Sequence, residues 1–180
     1  MNTRANNNGN TPGKKELAEL VIALASDDGL VRQHAREKLT RIGTPAVELL
    51  IKALDDHREQ VRWEAAKALI VIADHRAAHA LIKSLQDEDF DVRWVAAEAL
   101  VALQEKALPA LLTELEDHAD IIQLREGAHH VLKKLEHEQV ARILEPVIQA
   151  LDRMDPELTV PIAARAAMKA LQSQNIVLNQ

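Results

Sequence analysis

Two stretches decide the fold: VRWEAAKALIVI, which spans residues 61–72, and VRWVAAEALVAL, which spans residues 92–103. Both begin with a Val-Arg-Trp triplet and continue with small or aliphatic residues in the same order. Counted from Val61, apolar residues recur after four, eight and eleven positions. Because these offsets lie on one face of an α-helix, the pattern predicts two amphipathic helices rather than two strands.

The same apolar frame begins at five places along the chain. Its first residues are Val31, Val61, Val92, Leu124 and Val160, with 30 to 36 residues between successive starts. A second apolar frame with spacing 0, 3, 4 and 7 precedes each of them, which predicts another helix. Repeating helix pairs of this length stack so that each pair covers its neighbour's apolar stripe. We therefore predict an all-α fold, an α-solenoid of about five helix pairs.

The pattern divides the chain into three parts. Residues 1–13 are rich in Asn and carry no apolar pattern, so we expect them to be disordered. Residues 173–180 form a tail whose Ile-Val-Leu segment at 176–178 can fold back over the last helix pair. Between these ends, the repeat domain at 14–172 is expected to consist of repeats at about 14–43, 44–74, 75–104, 105–136 and 137–172.

Composition narrows the class of protein. The chain has 180 residues, of which 47% are hydrophobic and 28% charged, as in ordinary soluble globular domains. The absence of Cys excludes a disulfide framework and thiolate catalysis. No apolar run has membrane-spanning length, and the first residues lack the apolar core of a signal peptide. We expect a cytoplasmic protein that does not associate with a membrane.

The recurring residues resemble the HEAT repeat family, in the short bacterial form named after phycobilisome (PBS) lyases. The motif is an Asp, a spacer, Val-Arg, Ala-Ala and Ala-Leu, here Asp56, Val61-Arg62, Ala65-Ala66, Ala68-Leu69 and Asp87, Val92-Arg93, Ala96-Ala97, Ala99-Leu100. The resemblance covers about residues 14–172, is looser in the first and fourth repeats, and loses the Arg to Pro161 in the fifth. It implies a right-handed superhelix of armadillo-like helical type, whose Val-Arg helices line a concave face that serves as a general binding scaffold.

Four Arg residues follow the first residue of the frame, namely Arg32, Arg62, Arg93 and Arg125. Each comes after an acidic turn, and Arg pairs with carboxylates through two parallel hydrogen bonds. We interpret them as structural ties between the turn and the helix, as the family pattern implies, rather than as a phosphate-binding stripe. The fifteen positions expected to face inward hold one Lys and four Glu, and the net charge is −6, so we predict no nucleic-acid binding.

Residues capable of catalysis are not arranged for it. Residues 13–15, Gly-Lys-Lys, lack the upstream Gly and the Ser or Thr of a phosphate-binding loop. One HEAT repeat enzyme family, deoxyhypusine hydroxylase, binds two irons through His-Glu pairs just after Val-Arg, and this chain has no such pair in any repeat. Glu126 and His130, with Glu98 facing them, offer at most a weak cation site. We predict no enzyme activity, no metal site and no cofactor.

The two Trp residues are the strongest candidates for binding. Trp63 and Trp94 share one offset, which points away from the apolar stripe. Trp is enriched in binding hot spots, and the alternative is that each ring covers its neighbour's Ala-rich helix. The predicted partner-binding residues are Trp63, Trp94, Gln33, His34, Glu64, Lys67, Glu98, Glu126 and His130. Since the charged members are mostly acidic, we expect a basic or amphipathic protein partner.

The leading functional hypothesis is a non-enzymatic protein–protein interaction scaffold that binds its partner on the concave face. The alternative, from the resemblance alone, is an accessory subunit of a bilin (phycobiliprotein) lyase complex, with a tetrapyrrole held between the two Trp rings. A metal-dependent, hydroxylase-like enzyme is less favoured. The last Val-initiated helix has little polar surface beyond Arg165 and Lys169, which suggests self-association through the C-terminal repeat.

Overall fold

The computed structural model describes residues 13–174, which form ten α-helices and no strand. Their bounds are α1 Lys14–Ala23, α2 Gly29–Ile42, α3 Val47–Ala53, α4 Glu59–Ile72, α5 Ala78–Ser84, α6 Phe90–Leu103, α7 Leu108–Asp117, α8 Ile122–Lys133, α9 Glu138–Leu151 and α10 Pro156–Ser173. Short 3₁₀ turns precede α3, α5 and α7. The segment expected to be disordered, apart from its last residue, and the apolar segment at 176–178 lie outside the described residues.

The first eight helices stack as two layers. Helices α2, α4, α6 and α8 pack side by side and form what we call the second-helix layer. Helices α1, α3, α5 and α7 form the opposite, first-helix layer. The prediction of an all-α solenoid built from helix pairs is therefore confirmed.

The buried core follows the predicted frame. Four residues after each of the first four starts stands an Ala, and all four of these Ala residues are buried. Eight residues after each start stands a Leu, and Leu39, Leu69, Leu100 and Leu132 are at most 1% exposed. A small side chain at one position lets adjacent helices approach, and the Leu of the next turn fills the remaining space.

The four Arg residues tie the turn to the helix as expected, but through backbone carbonyls of the turn and not through its carboxylates. Each donates from its guanidinium to the backbone carbonyl six residues earlier: Arg32 to Ser26 at 2.7 Å, Arg62 to Asp56 at 2.9 Å, Arg93 to Asp87 at 2.8 Å, and Arg125 to Ala119. Arg62 also makes two hydrogen bonds to the Asp87 carboxylate, at 2.7 and 2.8 Å, and these raise the pKa of Arg62. The side chains thus fasten the turn before each second helix, and Arg62 joins two successive repeats.

The fifth helix pair departs from the regular stacking. Helix α10 packs against α7 as well as α9, while α9 packs against α8. Arg165 of α10 bonds to Glu116 of α7 at 2.7 Å. The end of α9 meets α8 instead. The buried Nε2 of His129 in α8 lies 3.0 Å from Oδ1 of Asp152, which follows α9, without hydrogen-bond geometry. The last pair has therefore exchanged layers, with α10 beside the first helices and α9 beside the second helices.

This exchange corrects one expectation from the sequence. Three of the fifteen positions expected to face inward belong to the repeat that starts at Val160, namely Ile162, Ala163 and Ala166. They do not lie on that face, because α10 does not continue the second-helix layer. Helical periodicity specifies which face of a helix is buried, and either layer can cover that face. With Pro161 in place of the Arg, the tie that fixes the other second helices is missing from α10.

Candidate functional site

A pocket of about 160 Å³ lies between α6 and α8 on the second-helix layer. Trp94 forms one wall and is 50% exposed. Its lining consists of one face of each helix and a Leu beneath them: Phe90, Arg93, Trp94 and Ala97 from α6, Gln123, Glu126, Gly127 and His130 from α8, and Leu85. In both helices the lining residues are spaced 0, 3, 4 and 7, so the two helix faces meet along the groove.

Gly127 explains how Leu85 comes to lie against α8 at the pocket. It occupies the offset that Glu64 has in α4 and Val95 has in α6. A Cβ at Gly127 would lie only 2.7 Å from a methyl carbon of Leu85, closer than real Cβ contacts. Helix α8 therefore packs directly on Leu85 with no side chain between them, and Leu85 lines the pocket beside Gly127.

His130 holds the Trp94 wall in place. The ring centroids of Trp94 and His130 are 4.8 Å apart, with the planes inclined by 55°. The other side of the contact is fixed by Glu98, whose Oε1 lies 2.6 Å from Nε2 of His130. The structure thus brings Trp94, Glu98 and His130 together, with Glu126 on the facing helix lining the same pocket. Residues 13–174 contain no group of three or more His, Asp or Glu residues placed to hold a metal ion.

Trp63 has different surroundings. Its ring is partly buried and packs against the core. The Lys67 ammonium lies 4.1 Å from the ring centroid, and the Arg36 guanidinium carbon lies 6.0 Å from it. Cations at these distances are attracted by the negative face of an indole. Trp63 also lines a separate, polar pocket of about 220 Å³ with Arg32, Glu59, Gln60, Glu64, Asp89 and Asp91.

Glu64 is a structural residue. It is 4% exposed, accepts a hydrogen bond from Arg36, and has Nε of Arg32 at 3.5 Å from its carboxylate. Both Arg residues belong to α2, so the carboxylate joins α2 to α4 and does not form part of an exposed rim. Sequence reasoning placed Glu64 on the inward face but gave no sign that two cations from the preceding repeat would cover it.

The two remaining predicted residues, Gln33 and His34, are exposed on α2. Gln33 donates to Glu37 at 2.9 Å within the same helix, and neither residue lines the pockets described above. Phe90, Ala97 and Gln123 were not among the predicted site residues although they line the Trp94 pocket. Phe90 was detectable, because it stands four residues before Trp94 and therefore on the same helix face.

Two turn carboxylates have strongly perturbed pKa values, and both lie away from the pockets of the Trp residues. Hydrogen bonds from the Arg76 side chain lower the pKa of Asp74 to about 2. Hydrogen bonds from the Arg58 side chain hold the pKa of Asp56 well below its usual range. Arg76 also donates to the carbonyl of Thr44 at 3.2 Å, so the Asp74 turn is fastened to the preceding repeat.

Comparisons with known proteins agree with the repeat architecture. The family model for HEAT repeats matches residues 17–101, which contain α2 to α5 and most of α1 and α6. None of the curated proteins matches this chain. Among the helices that the structure describes, none is long and apolar enough to cross a membrane.

The solved structures to which this chain is similar include the following three. Two engineered proteins from the Northeast Structural Genomics Consortium share 23% and 26% identity with this chain. They cover 87% and 88% of it and 84% and 81% of their own chains, with TM-scores of 0.45 and 0.44. A designed armadillo repeat protein shares 21% identity over 87% of this chain and 100% of its own, with a TM-score of 0.40.

Proposed function

We propose that this chain is a non-enzymatic scaffold that binds a partner protein. The match of the HEAT repeat model to residues 17–101 supports this proposal. Stacked helix repeats present long, continuous surfaces, and repeat folds of this type are typical of protein interaction. The proposed interface is the exposed face of the second-helix layer, which is the concave side in the superhelix that the family resemblance implies.

One observation carries this proposal: two large aromatic side chains are exposed beside a preformed pocket. Phe90 is 64% exposed and Trp94 is 50% exposed, and they stand one helical turn apart on α6. Exposed aromatic residues beside a pocket are the groups that most often dominate the binding energy of protein interfaces. A buried indole covers about 150–250 Å², and half of Trp94 is already covered in the free chain. A partner would therefore remove about 75–125 Å² from water, which at about 25 cal/mol per Å² amounts to about 2–3 kcal/mol.

The charges around Trp94 favour a basic or amphipathic partner. Glu126 lines the pocket and Glu98 lies behind His130, while Arg93 is engaged by the carbonyls of Asp87 and Glu88. Arg93 keeps its positive charge, so two carboxylates stand against one guanidinium beside Trp94, and the formal charge of these three groups is negative. Complementary charge accelerates encounter and discriminates against acidic partners.

The bilin hypothesis required both Trp rings to enclose one ligand. Trp63 and Trp94 line different pockets, and each ring is paired with another group, Lys67 for Trp63 and His130 for Trp94. No observation on the described residues favours a tetrapyrrole or an iron centre as a second candidate, so the scaffold is the function we propose.

Self-association is a second, separate proposal. Three large apolar residues on or beside α10 are exposed. Their relative solvent-accessible areas are 103% for Met154, 71% for Leu158 and 73% for Ile162. A terminal helix pair normally needs a polar outer surface for solubility. Sedimentation of the full chain should therefore show concentration-dependent dimers, and Ile162→Asp should shift it to monomer. A monomer at every concentration contradicts self-association without affecting the scaffold proposal.

Affinity capture from native lysate tests the scaffold proposal. The tagged wild-type chain should retain a specific protein that Trp94→Ala loses and that His79→Ala keeps, since His79 is exposed on α5 in the first-helix layer. The retained protein should leave with unchanged mass, because binding and not chemistry is proposed. Retention by Trp94→Ala together with loss by His79→Ala would place the interface on the opposite layer.

A further inference from the structure

We propose that the pocket between α6 and α8 accepts one aliphatic or phenyl side chain from a partner segment that carries Lys or Arg beside it. This inference rests on the proposed scaffold function and names the chemistry that the partner must present. It also assigns binding roles to Phe90, Ala97 and Gly127, together with Leu85 beneath them.

The size of the pocket sets the size of the side chain. Its volume is about 160 Å³. A protein cavity of about 150 Å³ holds one benzene molecule, so the space matches a single Leu, Met or Phe side chain and not a larger cofactor. The pocket opens to solvent between the two helices, which allows a side chain to enter from a docked segment without unfolding of either helix.

The walls set its polarity. Trp94 and Phe90 present ring surface, and Ala97, Gly127 and Leu85 contribute no polar side-chain group. The one positive group, Arg93, holds its guanidinium carbon 5.4 Å from the Phe90 ring centroid and donates to the backbone at 2.8 and 3.1 Å. An apolar side chain is therefore the occupant that leaves no buried polar group unsatisfied.

The rim sets the charge of the flanking residues. Glu126 is exposed at the pocket edge, and Asp91 is exposed on the first turn of α6. Neither carboxylate forms an ion pair among the described residues. Asp91 lines the pocket of Trp63, on the other side of α6 from the Trp94 pocket. Helices packed in one layer are about 8–10 Å apart, so a cationic side chain about that far from the apolar anchor reaches across α6 to Asp91. In an extended segment, three residues span this distance.

A random-peptide display library selected on the intact chain tests this inference. The enriched peptides should share one Leu, Ile, Met or Phe with Lys or Arg within about three residues of it. Replacing the apolar residue by Ser should weaken binding at least about tenfold, which is the ratio expected for burial of one such side chain. Trp94→Ala should cause a loss of similar size, Glu126→Gln a smaller one, and His79→Ala none.

Two results overturn the inference. One is enrichment of acidic or wholly polar peptides, or of none. The other is an unchanged affinity for the enriched peptides in both Trp94→Ala and Ala97→Met. Trp94→Ala removes a wall of the pocket, and Ala97→Met fills it. The scaffold proposal fails separately, when lysate partners bind independently of the second-helix layer, so the two failures are distinguishable.

Discussion

Trp63 and Trp94 stand at the same position of successive repeats, yet Trp63 is partly buried beside a polar pocket and Trp94 is half exposed beside a mostly apolar one. Around Trp63, the buried Glu64 ties α4 to Arg36 of α2, and Lys67 covers the ring. Around Trp94, the next helix brings Gly127 instead of a large side chain, and a pocket remains. A residue that recurs in successive repeats thus acquires its role from the neighbouring repeat. We therefore assign Trp63 to stability and Trp94 to binding.

The core beneath both sites should be equally sensitive. Leu69 and Leu100 occupy the same position under Trp63 and Trp94 and are at most 1% exposed. Truncation to Ala should cost about 2–5 kcal/mol in either case, through lost burial and the cavity left behind. Urea unfolding measures both. A melting temperature within a degree or so of wild type for either variant would mean that the predicted register is wrong.

Removing one carboxylate charge should lower the stability more beside Trp63 than beside Trp94. Glu64→Gln leaves Arg36 and Arg32 without their carboxylate in a largely buried position, so we expect a loss of about 1–3 kcal/mol. Glu98→Gln changes a carboxylate whose side chain is 39% exposed, and its effect on stability should stay below about 1 kcal/mol. Equal effects in thermal unfolding would remove the structural distinction between the two sites.

The two Trp→Ala variants should diverge between stability and binding. Trp63→Ala loses ring contacts with the core and with Lys67, and should cost about 1–3 kcal/mol while partner affinity changes little. Trp94→Ala should cost less than about 1 kcal/mol in stability and lower the affinity for the captured partner more than about tenfold. Chemical unfolding and partner titration measure the two quantities independently. The reverse pattern would assign packing to Trp94 and binding to Trp63.

Acid should weaken the turn next to the Trp63 repeat through Asp74. Its pKa is about 2 in the folded chain against a usual 3.8, so the unfolded chain takes up the proton first. The stabilisation is complete above about pH 5 and is lost as the pH falls through the unfolded value of 3.8 towards and through the folded value of about 2. Asp74→Asn should flatten the pH dependence of the unfolding free energy in this window, and Arg76→Ala should flatten it equally. An undiminished slope in both variants would show that this pair does not cause it.

The helices, their pairing and most of the core could be predicted from the sequence. Apolar residues at offsets four and eight lie on one face of a helix, and that face must be buried. The Arg ties followed as well, since their spacing to the turn is the same in four repeats. The exchange of layers in the fifth pair did not follow, because periodicity does not identify the neighbour of a helix. The Trp94 pocket could not be predicted either, since its shape depends on how closely Gly127 of α8 packs against Leu85.

Fluorescence quenching of single-Trp chains tests the central assignment most directly. Trp63→Phe leaves only Trp94, and Trp94→Phe leaves only Trp63. Acrylamide should quench Trp94 strongly in the free chain and much less after addition of the captured partner or a selected peptide. Trp63 should be quenched weakly in both states and should not respond to the ligand. Protection of Trp63, with Trp94 still open to acrylamide in the complex, would contradict the account.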